Sequence, residues 1–258
     1  VCAQQDRPAA LAALRSVLAH EEAGLFVGNA MAVAENWAGE LGGISIERVP
    51  SPTMTIGGRG WEEILAQRSS NFRSQMRRVE RRLEKEGEVR WRLADAASLE
   101  RDFETLVRLH SERWDSAVGT FEGPWGELHR RFLPLALERG WLRLLLLELD
   151  GEPVGAIYNL RYAGVESFYQ SGRDPGHDKL KLGLALQIHA IRAAAEAGVR
   201  EYRFLRGDEP YKKRFADRDD AVETVAVALR PRARPLTLAL RASQRSPALR
   251  RRLSRLIE

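Results

Sequence analysis

The sequence has one cysteine, Cys2, in 258 residues, so no internal disulfide can form and nothing marks an oxidising compartment. No Cys/His cluster has zinc-ligand spacing, and a metal is not expected. Long apolar runs are also missing. The longest, Leu144 to Leu147, is bounded by Arg143 and Glu148 and falls far short of the roughly 20 residues of a membrane span; it reads as a buried strand. No signal peptide is visible, and a cytoplasmic protein is expected. The chain starts at Val1 without a methionine, so the expectation includes an upstream segment that is missing. What is present is an ordinary globular mixture, 44% apolar and 30% charged, which predicts a packed core in one large domain or two smaller ones.

Charge is unevenly placed. From Arg230 to Glu258 there are nine Arg and one acid, so the formal +5 of the whole chain leaves the remainder mildly acidic. A second basic block, Arg68 to Arg92, carries nine Lys/Arg against four acids. Within it Phe72, Met76, Val79 and Leu83 recur at intervals of four, three and four, which predicts a helix with one apolar stripe among arginines. Such blocks are either solvated helix faces or docking surfaces for a polyanion such as tRNA, a nucleotide or an anionic membrane on the inner face of the cell. No aromatic residues interleave the tail arginines, which argues against single-stranded nucleic acid, and DNA is not expected as a partner.

The order of elements divides the chain. Residues 8–20 predict a helix and 24–33 a strand, while 36–60 is rich in Gly and Pro with room for one or two short strands. Residues 1–60 therefore read as an N-terminal wing or the remnant of a preceding half. Residues 61–87 read as a long basic connecting helix with a break near Ser69 to Asn71, stopped at Gly87. From 88 to 230 the order is strand, two helices, three strands, helix, strand, short helix, strand. The Asp150-Gly151 and Ala163-Gly164 pairs predict consecutive antiparallel hairpins over 141–149, 152–162 and 165–172. The expected fold is α/β (α+β), a mixed central sheet with helices on both faces. Residues 231–258 read as a basic helical tail.

Two segments carry chemistry. In SGRDPGHDKLKLGLALQIHAI a strand ends at Gly172, a loop follows with Lys179, Lys181 and Gly183, and a helix opens at Leu182. Unpaired N–H groups at a helix start, beside lysines and a small residue, are a common way of binding pyrophosphate. In REYRFLRGDEPYKKRFA a short strand delivers Arg206, Gly207, Asp208, Glu209, Tyr211, Lys212 and Arg214 into nine positions at its carboxyl end, where open α/β sheets place ligands. The alternative is a surface loop of ion pairs with little energetic weight. His110 reads as a packed or edge histidine; Glu112 and Asp115, near the end of the first helix, read as solvated or as the border of an acceptor cleft.

The order of elements and the string Phe204-Leu205-Arg206-Gly207-Asp208-Glu209-Pro210-Tyr211-Lys212 resemble the GNAT superfamily of N-acyltransferases over roughly residues 61–230. More narrowly, the string resembles its CelD-like branch, associated with cellulose biosynthesis and related to the Fem-type aminoacyltransferases. Tyr169-Gln170-Ser171-Gly172 followed by Asp174-Pro175 supports the resemblance. The Arg/Gln-x-x-Gly-x-Gly/Ala signature of acetyl-CoA binders is present only as Lys179 to Gly183, and Arg203 stands where an acid often precedes the Phe-Leu pair.

The resemblance implies transfer of an acyl group, such as acetyl, from acyl-CoA to a small-molecule or glycan amine, in polysaccharide or cell-envelope work. It implies that the strand from Val165 through Tyr169, Gln170, Ser171 and Gly172 holds the donor's arm and carbonyl. Lys179, Lys181, Gly183 and Leu184, with Arg206, would meet its phosphates. Asp208 or Glu209 would take the amine proton, Tyr211 or Tyr169 would protonate the leaving group, and Lys212 would neutralise a phosphate or the oxyanion. Two rival readings are an aminoacyl-tRNA-dependent Fem-type transferase and a non-catalytic GNAT module that binds a partner or membrane through its arginines.

Overall fold

The computed structural model describes residues 4–113 and 120–243. Trp114, Asp115 and the tail from 244 onward lie outside the described residues. In chain order the helices and strands are α1 (Arg7–His20), β1 (Leu25–Ala32), α2 (Trp37–Glu40), β2 (Ile44–Val49), β3 (Pro52–Thr55), α3 (Trp61–Ala66), α4 (Ser70–Glu86) and β4 (Val89–Leu93). They continue as α5 (Leu99–Arg113), α6 (Gly123–Glu138), β5 (Leu142–Leu149), β6 (Glu152–Tyr162), β7 (Val165–Arg173), α7 (Leu182–Glu196) and β8 (Glu201–Arg203). The last are α8 (Pro210–Phe215), β9 (Arg218–Asp219), β10 (Val222–Ala228) and α9 (Arg234–Ser243). Contacts group them into two compact units, one of residues 1–52 with 206–258 and the other of residues 53–205.

In the first unit β10 lies between β1 and β2, antiparallel to both. Leu11 of α1, Leu41, Val225 and Val227 form its core, with Phe26 and Trp37 packed against them. The strand over 221–229 was expected to complete the sheet of the 88–230 region. It pairs instead with the N-terminal strands, because β1 and β2 offer it two partners and bury Val225 and Ala226 completely.

The second unit is a mixed sheet in the order β4-β5-β6-β7-β8-β3, antiparallel throughout except for the parallel pair β7-β8. The two tight turns deliver the expected hairpins: Asp150 and Ala163 take positive φ, each followed by a positive-φ glycine. Side-chain alternation then assigns the two faces. Leu142, Leu144 and Leu146 of β5, with Ala156 and Tyr158 of β6, pack under α5 and α6 through Phe103, Leu106, Leu109 and Leu133. Gly155, one residue out of phase with Ala156, meets Leu186 of α7 on the opposite face, where α3 and α4 also pack on α7. Helices therefore cover both sides.

The basic helix expected over 61–87 is two helices. Gln67 caps the end of the first, and Ser69 caps the start of the second, its hydroxyl accepting from the Phe72 N–H at 3.2 Å. The apolar stripe Phe72, Met76, Val79 and Leu83 is buried as its spacing predicts. The strand expected over 201–205 is shorter, ending at Arg203, and Leu205 has φ +55°, outside any strand conformation. Among the described residues no helix is long and apolar enough to cross a membrane.

Candidate active site

The sheet of the second unit opens between β7 and β8. The two strands pair only over Val165–Ser167 with Glu201–Arg203, and among the described residues no strand pairs with β7 from Phe168 to Arg173 on that side. A strand paired on one edge only points alternate N–H and C=O groups at the free edge. The cause lies in β7 itself. Its register against β6 shifts between Asn159↔Phe168 and Tyr158↔Gln170, so Tyr169 is an extra residue in a β-bulge. Bulges bend a strand, sharpen its twist and re-aim a side chain.

Tyr169 is aimed at the α5/α6 face, where its hydroxyl lies 3.0 Å from Nε2 of His129 on α6. Burial lowers the pKa of His129 and raises those of Tyr169 and Tyr158, so all three are neutral near pH 7. Their rings sit together, with centroids 5.0 Å apart for His129 and Tyr169 and 5.2 Å for Tyr158 and Tyr169. His129 Nδ1 and the Tyr158 hydroxyl are buried with no hydrogen-bond partner among the described residues. Unanswered polar atoms of this kind are rare in a packed interior and call for a reason. His129 was not singled out in the sequence, because a lone histidine on a helix carries no spacing signal.

Beyond the bulge, Gln170 lies 3.4 Å from the Thr120 hydroxyl and Ser171 is buried. Gly172 has a plain steric reason: a Cβ there would stand 2.4 Å from the His110 backbone nitrogen, so α5 can rest on β7 only if this residue has no side chain. The loop after Arg173 is built by Asp174, which accepts from the Gly176 N–H at 2.7 Å and pairs with His177 at 3.0 Å. Arg173 pairs with Asp178.

Lys181 then takes φ +59° and caps α7, its carbonyl accepting from Leu184 and Ala185. The N–H groups of Leu182 and Gly183 precede the first intrahelical bonds and have no acceptor within the helix. Nothing crowds Gly183: a Cβ there would be 3.7 Å from its nearest neighbour, Arg173. Lys179 and Lys181 are exposed, and Arg82 of α4 donates to the Lys179 carbonyl at 3.4 Å. This helix start therefore has free N–H groups, an uncrowded glycine and a positive surround, the elements of an anion cradle.

The bend of the first unit has a different character. Gly207 has φ +128°, and its N–H donates to the Pro50 carbonyl at 3.0 Å. Lys212 is buried; its ammonium donates to the Arg206 carbonyl at 2.6 Å and pairs with Glu209 at 3.0 Å. Asp208 pairs with Lys213 at 2.5 Å, both side chains more than half exposed. Tyr211 is half-buried at the start of α8, and Arg206 is exposed. The predicted residues thus fall into two groups. Asp208, Glu209, Tyr211, Lys212 and Arg206 sit in the first unit, and Tyr169 to Gly172, Lys179, Lys181, Gly183 and Leu184 in the second. Among the described residues no cluster of His, Cys, Asp or Glu is placed to hold a metal.

The strand that parts from its neighbour thus leads, through the Asp174 loop, to the start of α7. Residues 70–213 match the family described as acetyltransferase (GNAT) domain, and the chain belongs to that family. Among solved structures it is similar to FemX, with 11% identity and TM-score 0.65 over 91% of this chain and 80% of that one. It is also similar to L-PGS from Bacillus licheniformis (14% identity, TM-score 0.56, 84% of this chain and 71% of that one). A third likeness is to a C-terminal domain (DUF2156) ascribed to a lysylphosphatidylglycerol synthetase of Agrobacterium fabrum, with 8% identity and TM-score 0.58 over 84% and 71%. At these identities the likenesses establish the fold alone. No curated protein matches the chain.

Proposed function

We propose that the protein transfers an acyl group from a phosphate-bearing activated carrier, acyl-CoA, to an amine. The observation that carries this reading is the opening of β7 from β8 at the Tyr169 bulge, leading directly to the uncrowded start of α7. The carrier's phosphates lie against the Leu182 and Gly183 N–H groups, with Lys179, Lys181 and Arg82 supplying positive potential. Its acyl carbonyl lies along the free edge of β7, whose backbone N–H groups hold the oxyanion as the amine nitrogen attacks the carbonyl carbon. The bond from that carbon to the carrier's sulfur then breaks; the amine gives up one proton to a base, and the leaving thiolate takes up one from an acid, so that no net proton is gained or lost.

Tyr169 is neutral and stands on the bulge, so it is suited to give that proton, with His129 at 3.0 Å to replace it. Asp208 and Glu209 are proposed as proton acceptors for the amine, and Tyr211 as a second donor to the leaving group. For Lys212 the pairing with Arg206 and Glu209 favours a structural duty. The test is thermal stabilisation by a panel of acyl-CoAs: Gly183→Val should reduce it, as a tenfold weaker Kd requires, while the unliganded melting temperature barely moves. A panel that stabilises neither protein would refute the donor.

A second reading has support in α4, whose Arg77, Arg78, Arg81 and Arg82 are exposed and whose Arg82 reaches the loop before the same helix start. There the donor is an aminoacyl-tRNA, in keeping with a fold like that of FemX and L-PGS. Binding that falls by several orders of magnitude between 50 and 200 mM salt would select it over acyl-CoA. A role in polysaccharide or cell-envelope synthesis, as in the CelD-like branch, is proposed on the motif around Asp208 alone, and contact with an anionic membrane on the charge of the arginine-rich helices.

A further inference from the structure

A cavity of about 590 Å³ lies on the α7 face of the sheet, at the end of that helix remote from Gly183. Its walls include His189, Ala190 and Ala193 from the second half of α7, and Trp91, Leu145 and Arg143 from β4 and β5. Such a volume is that of a small-molecule site. The ring of His189 lies flat on Trp91, with centroids 4.0 Å apart and 9° between the planes, forming one rigid aromatic side.

The charges lining the cavity are paired, except one. Arg161 holds Glu166 at 2.7 Å, and the second oxygen of Glu166 accepts from Asn159 at 2.8 Å. Arg92 is held between Asp102 and Glu148, both at 2.5 Å. Arg143 pairs with no carboxylate among the described residues; its hydrogen bond goes to the carbonyl of Leu142, at 2.6 Å. Burial, with Arg161 nearby, disfavours its charged form although Glu166 partly offsets them. A half-buried guanidinium beside a second guanidinium costs stability, and an apolar residue would fit a strand position otherwise occupied by leucines. The fold gains nothing evident from it.

We propose that this cavity is a second binding site, for a small organic oxyanion, a carboxylate or a phosphate monoester, gripped by Arg143. The ligand's apolar or aromatic body lies along Trp91–His189, Leu145, Ala190 and Ala193. Arg143 meets the oxyanion through its planar fork, which suits both ligand chemistries. The site is separate from the start of α7 and does not depend on what donor binds there.

Benzoate, phenyl phosphate and benzyl alcohol, titrated without acyl-CoA, test the proposal by calorimetry and thermal shift. At least one of the two anions should bind wild type, and benzyl alcohol, which lacks the oxyanion, should not. Which anion binds more tightly distinguishes carboxylate from phosphate ligands. Arg143→Met should melt no lower than wild type and weaken the anion at least tenfold, while Gly183→Val should bind it as wild type does. The proposal is overturned if neither anion binds, if benzyl alcohol binds as well as they do, or if Arg143→Met retains wild-type affinity. Should Arg143→Met fold poorly, Ala193→Trp, which fills the cavity beside α7, replaces it: retained anion binding in that variant likewise overturns the site.

Discussion

The loop from Asp174 to Lys181 and the bend from Arg206 to Phe215 are each short, polar and dense in charge, and each follows a strand. In the bend, Asp208, Glu209, Lys212 and Lys213 answer one another, and Lys212 is spent holding the Arg206 carbonyl. In the loop, Asp174, His177, Arg173 and Asp178 fix the backbone, while Lys179 and Lys181 pair with no carboxylate among the described residues and the first turn of the next helix holds a glycine that nothing crowds. Density of charge alone does not separate a ligand site from a braced turn. What separates them is whether groups able to bind are left over after the chain has satisfied itself.

The contrast can be broken by mutation. Lys212→Met should cause the largest change, a loss of about 3 kcal/mol in urea denaturation, because it leaves the Arg206 carbonyl and Glu209 without their partner. If stability is unchanged and acyl transfer collapses, Lys212 belongs to the chemistry and the bend is no mere brace. Gly183→Val should raise the Kd for acyl-CoA about tenfold, or about 1.4 kcal/mol. Lys181→Ala should weaken the donor about threefold by calorimetry at low salt and lose that effect at 0.5 M salt, since an exposed charge is screened. Asp208→Asn should leave stability within about 0.5 kcal/mol, as an exposed ion pair is worth little; a large drop in turnover in that variant would make Asp208 a participant.

A further prediction concerns pH. Burial, and to a lesser degree Arg192, pushes the pKa of His189 down to about 4 from its ordinary 6.5. The unfolded chain therefore takes up a proton first as pH falls, and stability should decline from pH 6.5 to about 4 and then level off as far as this group is concerned. Substituting His189 by Phe should flatten that part of a melting-temperature profile. An unchanged slope would show that another group is responsible.

Much of the second unit is legible from residue spacing. The Ala163-Gly164 turn sets Arg161 opposite Glu166 and Asn159 opposite Phe168, and these pairs form. The stripe of α4 and the hairpin limits follow from periodicity in the same way, since each is a local property of the chain. What could not be read depends on distant partners. Nothing in 221–229 says whether that strand pairs with β1 and β2, and nothing near His129 says that a bulge 40 residues on will bring Tyr169 to it. Arg143 stood within an apolar run and looked like an interruption. Its significance lies in the lack of an ion-pair partner among the described residues, which only three-dimensional placement reveals.

The bulge at Tyr169 has a consequence for anyone who edits this strand. Counted from the Ala163-Gly164 turn, a regular ladder of this length would set Ser171, not Gly172, across from Ala156 and beneath α5. The bulge takes up the odd residue and so delivers Gly172 to the one place where α5 tolerates no side chain. Deleting Tyr169 would leave Gly172 opposite Ala156 on an unbroken ladder, so the deletion should fold, with the strand straightened and the contact to His129 lost. Keeping the residue while forcing the ladder regular would thrust the Ser171 side chain at the helix backbone.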